Sequence, residues 1–440
     1  MTDLPATSAT PSLAPTPETA HSDTHAHTDT DTDTDTDTHT HTDTRTHTLL
    51  TVDRLVTADI DWAPAWIEIR SGRIAARGEG RPPRDPDEHV PATVVPGFVD
   101  IHSHGALGAD FGTAATRDIH RIIDFHAARG TTRIVASVAT APLETLHRAI
   151  ATLRPLVEDG TLAGIHLEGP YLSPARRGAH NPALLRTPDL AEVKRLIAIG
   201  GGTVRMLTIA PELPGAEPVI RWLVANGVTV ALGHSDADAT TTRSAIGWGA
   251  TVVTHLFNGM KPLHHREPGL AGVALVDDRV TVELILDGHH VSTETAEIVR
   301  RTAPGRLALV SDAMSATGLG DGDYDIAGSA VRVTGGVAWL ADGSSLAGST
   351  ATLADGFRGL LAAGGARPAP AAPPAAPSAG PPSPGSTDLT AAIAASSATP
   401  ARALGLDPAD LTVGSPADLV HLHGTDVARV MRRGAWLTSS

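Results

Sequence analysis

The 440-residue sequence contains no cysteine. Disulfides and thiolate ligands are thereby excluded, so any metal site must be built from histidine and carboxylate. Aromatic residues make up only 3% of the chain, which leaves Ala, Val, Leu and Ile to fill a core. No apolar run reaches the roughly 20 residues that cross a bilayer. The Pro/Thr/Ala-rich residues 1–19 have neither the basic nor the apolar region of a secretory leader. The expectation is a cytoplasmic protein with no membrane partner. Positive charge is also short. A formal net charge of -15 argues against nucleic acid, whose binding needs a concentrated basic footprint.

What is present suffices for a large core. Hydrophobic residues are 41% of the chain, enough for a barrel of roughly 250–300 residues and a smaller module. Residues 1–48 are Pro/Thr/Ser followed by alternating Asp, Thr and His. They have too few apolar groups to offset ordering entropy, so a disordered tail is expected. Its histidines (His21, His25, His27, His39, His41 and His47) offer loose metal binding, but a solvated tail is the simpler reading. Residues 363–386 are Ala, Pro, Gly and Ser almost throughout and read as a disordered insertion.

Between these segments the pattern has two textures. Residues 49–56, 65–70 and 72–76, and then 418–422 and 427–437, are short apolar or alternating runs broken by Gly and Asp. They predict a small β-sandwich domain built from both chain ends, 49–95 and 397–440. The middle, 96–396, alternates strand-length apolar runs with helical patterns. The runs are 164–168, 204–209, 228–233, 251–255, 282–287 and 307–312. Helical stretches include Leu190, Val193, Leu196 and Ile197 on one face, and residues 216–225. Such βα alternation implies a parallel sheet. Nearly every run ends in a chemically capable group: Glu168, His234, His255, Asp287 or Asp312. In a TIM-type (β/α)8 barrel the C-terminal strand ends converge on one mouth. An open doubly wound sheet, the alternative, would scatter them.

His102 and His104 follow the apolar stretch 94–101, and strand alternation aims both imidazoles at one face. Singly, His234 and His255 would be satisfied structural histidines. With Glu168 they match a catalytic metal site of three protein ligands and an open position. Asp312 is suited to moving a proton beside such a metal, its other reading being an N-cap.

At these residues the sequence resembles the amidohydrolase superfamily and, within it, the N-acetylglucosamine-6-phosphate deacetylases. The matching stretches are PGFVDIHSHG from Pro96, HLEGPYLSPARRGAHNP from His166, TIAPE from Thr208, GHSDA from Gly233 and THLFNGM from Thr254. REPGLAG from Arg266, DGHHV from Asp287, SDAMSATG from Ser311, LAGS from Leu346, TPARALGL from Thr399 and GSPADLV from Gly414 complete the set. The resemblance implies hydrolysis of the acetamide of a sugar phosphate by metal-activated water. It implies Glu168, His234 and His255 as metal ligands, with His102 and His104 adding a second ion bridged by Glu168. It implies Asp312 as proton shuttle and His180, beside Ala179, at the reacting oxygen. Asn258, Gly259, Arg266, Asp287, Gly288, His289, His290, Leu346, Ala347 and Gly348 are implied substrate contacts, and Arg266 reaching a neighbouring subunit implies a homodimer. The metal, one or two divalent ions, is zinc or another ion accepted by His and Glu, such as iron. The rival readings are another amidohydrolase acting on a different N-acyl or cyclic amide, and a catalytically dead barrel serving as a scaffold.

Overall fold

The structure is a computed structural model that describes residues 47–326, 328–365 and 386–438. Most of the expected tail and insertion, residues 1–46 and 366–385, lies outside the described residues. Regular structure starts earlier than expected, with a strand at His47–Val56, and a helix, Leu353–Gly365, runs into the start of the insertion.

Eight strand–helix units run in order: β1 (Phe98–Ser103), α1 (Thr116–Ala127), β2 (Thr131–Ala139), α2 (Leu143–Glu158), β3 (Gly164–Glu168), α3 (Leu190–Gly200), β4 (Val204–Ile209) and α4 (Ala216–Ala225). They continue with β5 (Thr229–Leu232), α5 (Ala239–Gly247), β6 (Val252–Val253), α6 (Gly269–Val276), β7 (Thr281–Ile285), α7 (Thr293–Thr302), β8 (Leu307–Val310) and α8 (Leu353–Gly365). Neighbouring strands pair in parallel from β1 through to β8. The seam is bridged by Asp312 N–H to His102 O at 2.9 Å and Ser311 N–H to Asp100 Oδ1 at 3.3 Å. The protein is therefore a (β/α)8 barrel. Helix α3 shows the local punctuation. Asp189 caps its start by accepting Glu192 N–H, Val193 and Leu196 are buried, and Gly201 ends it in the left-handed region at φ 57°.

The far end of the barrel is closed by the chain after Thr399. Arg402 donates to Gly305 O, Thr229 Oγ1 to Ala403 O, and Arg133 to the carbonyls of Asp407 and Pro408. Ala401, Leu404 and Ala409 join Val135, Met206, Ala231 and Ile285 in one apolar cluster.

The strands expected from the two chain ends, joined by Glu88–Pro96 and Asp61–Trp62, which were not expected, form one continuous eight-stranded ladder. Its order is Ala435–Trp436, Asp426–Arg432, Leu419–His423, Glu88–Pro96, His47–Val56, Ala65–Arg70 and Arg73–Glu79, with Asp61–Trp62 added beside His47–Val56. Leu50, Ile67, Ile69, Val90, Leu419 and Met431 share its own core. Two further features that bear on the site are outside the sequence expectation. One is β2, whose apolar residues are interrupted by Arg133 and Ser137. The other is a three-stranded antiparallel sheet, Gly322–Ile326, Ser329–Thr334 and Val337–Leu340. That sheet buries Val331, Val333 and Leu340 against Met314, Ala347 and Ala179 at the C-terminal mouth.

Gly97 joins the terminal sheet to the barrel. Its N–H donates to Asp418 O at 2.8 Å, and a Cβ there would stand 2.2 Å from Thr132 Oγ1 and 2.6 Å from Thr132 Cγ2. Thr132 is buried and cannot swing into solvent. Gly97→Ala is expected to cost about 1–3 kcal/mol of stability through overpacking. The shift of the urea midpoint measures it, and an unchanged midpoint would show that Thr132 yields.

Candidate metal centre and cavity

Three site residues sit just past strand ends in a conformation that side chains rarely adopt. The φ angles of His234, His255 and Asp312 are 46°, 25° and 47°. Such residues cost of order 1–3 kcal/mol each and persist where surrounding bonds over-determine them. Ser173 N–H donates to His234 O, the His255 N–H donates to Glu283 Oε2, and Asp312 bonds on both sides, to His102 O and from Ser349 N–H. The turn out of extended geometry also explains why β5, β6 and β8 stop short of the predicted 233, 255 and 312. It tips each side chain inward over the mouth.

Glu168, the last residue of β3, lies at the centre. Its Oε1 is 3.1 Å from His234 Nε2 and 3.1 Å from His255 Nε2, and 3.6 Å from His102 Nε2. Its Oε2 is 3.2 Å from His104 Nε2 and 3.4 Å from His180 Nε2. Asp312 Oδ1 is 3.3 Å from His104 Nε2 and 3.5 Å from His102 Nε2. Two overlapping sets of possible ligands, His102–His104–Glu168 and Glu168–His180–His234, therefore share Glu168.

The donor chemistry fits a cation. His234 Nδ1 donates to Arg176 O at 2.9 Å, and His102 Nδ1 donates to Glu283 Oε2 at 3.1 Å. In the neutral imidazole each bond leaves a lone pair on Nε2, aimed at the cluster. Yet His234 Nε2 faces His255 Nε2 at 3.1 Å, and His102 Nε2 faces His104 Nε2 at 3.2 Å. His102 and His234 thus present lone pairs at these contacts, which a proton on the facing ring or a cation between the rings satisfies. The carboxylates pull the same way. Burial lowers the His104 pKa, but Asp312 and Glu168 outweigh it and hold it at about 10. Burial pushes Glu168 and Asp312 up, while His102 and its neighbours hold Glu168 well below the carboxylate range and Asp312 at about 2. The cluster calls for positive charge, which a divalent ion held by these residues would supply.

Above this floor opens a cavity of about 200 Å3. Of the residues singled out in the sequence, His104, Glu168, Ala179, His180, His234, His255, Asn258, Gly259, His290, Asp312, Leu346, Ala347 and Gly348 line it. His102 is fully buried behind His104. Asp287 stands behind His290, accepting its Nδ1–H at 2.7 Å together with the backbone N–H groups of His289 and His290. Gly288 and His289 are exposed and outside the lining, and so is Arg266. The lining contains no Arg or Lys among the described residues. Sequence reasoning did not single out Asn181, Met314, Ser329 or Ser345 in the wall. Nor did it find the buried His166, held between Ser137 Oγ at 2.9 Å and Thr208 Oγ1 at 2.8 Å. Ser329 could have been found only through the three-stranded sheet that carries it.

Residues 93–437 match the amidohydrolase family. The chain belongs to the amidohydrolase family. Among proteins similar to this amidohydrolase is N-acetylgalactosamine-6-phosphate deacetylase of Escherichia coli O157:H7, 39% identical over 280 residues, which are 63% of this chain and 74% of that one. N-acetylglucosamine-6-phosphate deacetylase of Vibrio furnissii is 36% identical over 312 residues, 70% of this chain and 76% of that one. A solved structure of N-acetyl-D-glucosamine-6-phosphate deacetylase from Mycobacterium smegmatis, a mutant in complex with N-acetyl-D-glucosamine-6-phosphate, is similar with TM-score 0.82 and 44% identity. The match covers 89% of this chain and 99% of that one.

Replacing Glu168 by Gln keeps its shape and removes the charge that compensates a cation. Glu168→Gln is expected to lower metal content after dialysis, with the circular dichroism spectrum unchanged. Full metal occupancy in the variant would remove Glu168 from the centre.

Proposed function

We propose that this amidohydrolase hydrolyses N-acetyl-D-glucosamine 6-phosphate to D-glucosamine 6-phosphate and acetate, in amino-sugar breakdown. The observation that carries the reading is the cluster of Glu168, His234, His255 and Asp312 on the floor of a cavity walled by His180, Asn258 and His290. Relatives that act on acetylated amino-sugar phosphates support the substrate. Glu168, His234 and His255 would hold one divalent ion, and His102 and His104 a second shared through Glu168. We take zinc as the native ion, because His and carboxylate donors without thiolate suit it. Bound there, the ion would polarise the acetamide carbonyl and lower the pKa of water.

The chain's own groups do the rest. Asp312 is ionised in its setting, so it can take a proton from water as oxygen adds to the acyl carbon. It then delivers that proton to the nitrogen as the C–N bond breaks. His180 Nε2, 3.4 Å from Glu168 Oε2, sits beside the reacting centre and can hydrogen-bond the acyl oxygen. His290, fixed by Asp287, and the Asn258–Gly259 turn face the sugar phosphate. Because the lining has no Arg or Lys among the described residues, we look for the cation of a phosphate dianion elsewhere. We assign it to Arg266, contributed by a second copy in a homodimer. A doubly charged sugar phosphate does not cross a bilayer unaided, so the same reading puts the enzyme in the cytoplasm.

Acetate release is the direct test. Turnover should be fastest on N-acetylglucosamine 6-phosphate, slower on its galactosamine epimer and slowest on the unphosphorylated sugar. No acetate from any of the three would overturn the reading, and preference for the epimer would correct it.

Two substitutions test the roles. An amide cannot shuttle a proton, so Asp312→Asn is expected to lower kcat about 100-fold or more while changing KM less. Metal content measured alongside separates lost proton transfer from lost ion. Arg266→Ala should lower kcat/KM by about 1–3 kcal/mol on the phosphorylated sugar and little on the plain one, as for a charge-assisted contact. Equal losses on both substrates would make Arg266 a residue of the fold.

A further inference from the structure

Glu283 belongs to no part of the mechanism above, yet it is a fully buried carboxylate beside the cluster. It lies in β7 between Val282 and Leu284, at 0% exposure. Its Oε2 accepts two hydrogen bonds, from His102 Nδ1 at 3.1 Å and from the His255 N–H at 3.2 Å. Its main-chain oxygen accepts Leu256 N–H at 2.8 Å. Its Oε1 is buried with no hydrogen-bond partner among the described residues. One side chain thus clasps a candidate ligand of β1 and the backbone of another beyond β6, from a strand that supplies no ligand itself.

Burying a carboxylate this deeply, with one oxygen unbonded, is costly unless positive charge is near. No Lys or Arg contact to Glu283 occurs among the described residues; the groups bonded to its side chain are an imidazole and an amide. The cluster already holds Glu168 and Asp312, and those two charges balance one divalent ion at Glu168, His234 and His255. Glu283 is a further buried carboxylate, as is Asp100, whose Oδ1 accepts the His102 N–H at 3.2 Å; Glu283 differs in touching the His102 ring itself. Its bond to Nδ1 also orients the His102 ring with Nε2 towards His104, 3.2 Å away.

We infer that Glu283 is the positioning residue that equips the His102–His104 side to hold a second divalent ion, by fixing His102 Nε2 as a donor and supplying the compensating charge. The inference rests on the metal reading proposed above. It makes the number of ions a property set by β7 and not by the ligands alone. Carboxylates that orient a ligating histidine in this way typically change metal affinity 10–100-fold.

The experiment is a zinc titration of the full chain, stripped of metal, with stoichiometry by elemental analysis against a graded chelator. The parent chain should bind two ions. Glu283→Gln, which keeps one acceptor oxygen and removes the charge, should weaken one ion 10–100-fold and leave the other within about threefold. His102→Asn should weaken that same ion. Glu283→Asp, which retains the charge at a longer reach, should fall between the two and serves if the Gln variant fails to fold. A purely structural brace would lower the melting temperature and weaken both ions alike, and that result overturns the inference. So does a parent chain that saturates with one ion, or a Gln variant that holds both as tightly as the parent. A parent chain that binds no zinc would bring down the metal reading itself, and acetate release judges the substrate reading independently.

Discussion

The mouth of this barrel is organised by one buried carboxylate. Glu168 places its two oxygens within 3.1–3.6 Å of five imidazoles. A carboxylate so enclosed needs charge-bearing partners, and the Nε2 lone pairs of His102 and His234 need a proton or a cation from across the cluster. The arrangement calls for positive charge, from protonated imidazole or from a bound cation. Asp312 remains ionised for the same reason and is thereby suited to accept a proton.

That electrostatic centre is held by strained backbone. His234, His255 and Asp312 depart from the strands in left-handed geometry, which few side chains tolerate. The barrel can sustain them because the main chain of each is tied to a neighbouring strand or loop, that of His255 through the Glu283 side chain. The Asp312 bonds to His102 and Ser349 link the barrel seam to the loop carrying Leu346, Ala347 and Gly348. Closing the barrel and building the site are thus one act of folding.

Around this core, the remaining structure controls access and support. The three-stranded sheet forms part of the wall through Ser329, whose Oγ donates to Ala179 O at 3.2 Å. The terminal sheet leaves the cavity untouched. It anchors the opposite side through Arg432 and Arg433, which donate to Thr161 O and Gly160 O after α2. Support and catalysis are separated along the barrel axis, as the fold permits.

Much of this was legible in the residues. Short apolar runs ending in Glu168, His234, His255 and Asp312 disclosed the barrel, because each strand's hydrophobic stretch is local and its last polar residue marks the mouth. The histidine–carboxylate set pointed to a cluster able to hold a metal, because no cysteine competes for that role. Glu283 and His166 escaped notice because a polar residue inside an apolar strand has no local meaning until its partners, 181 and 42 residues away in sequence, are known. The strand β2 and the small sheet over the mouth were hidden by interrupted or weak alternation, which packing overrides. Arg266, singled out by its motif, proved to lie outside the cavity, because exposure is decided by the loop's path and not by the residue. The sequence by itself determined which groups are available and at what intervals. Tertiary structure decided which of them share one space, because only chain closure brings these carboxylates and imidazoles within 3.1–3.6 Å of one another.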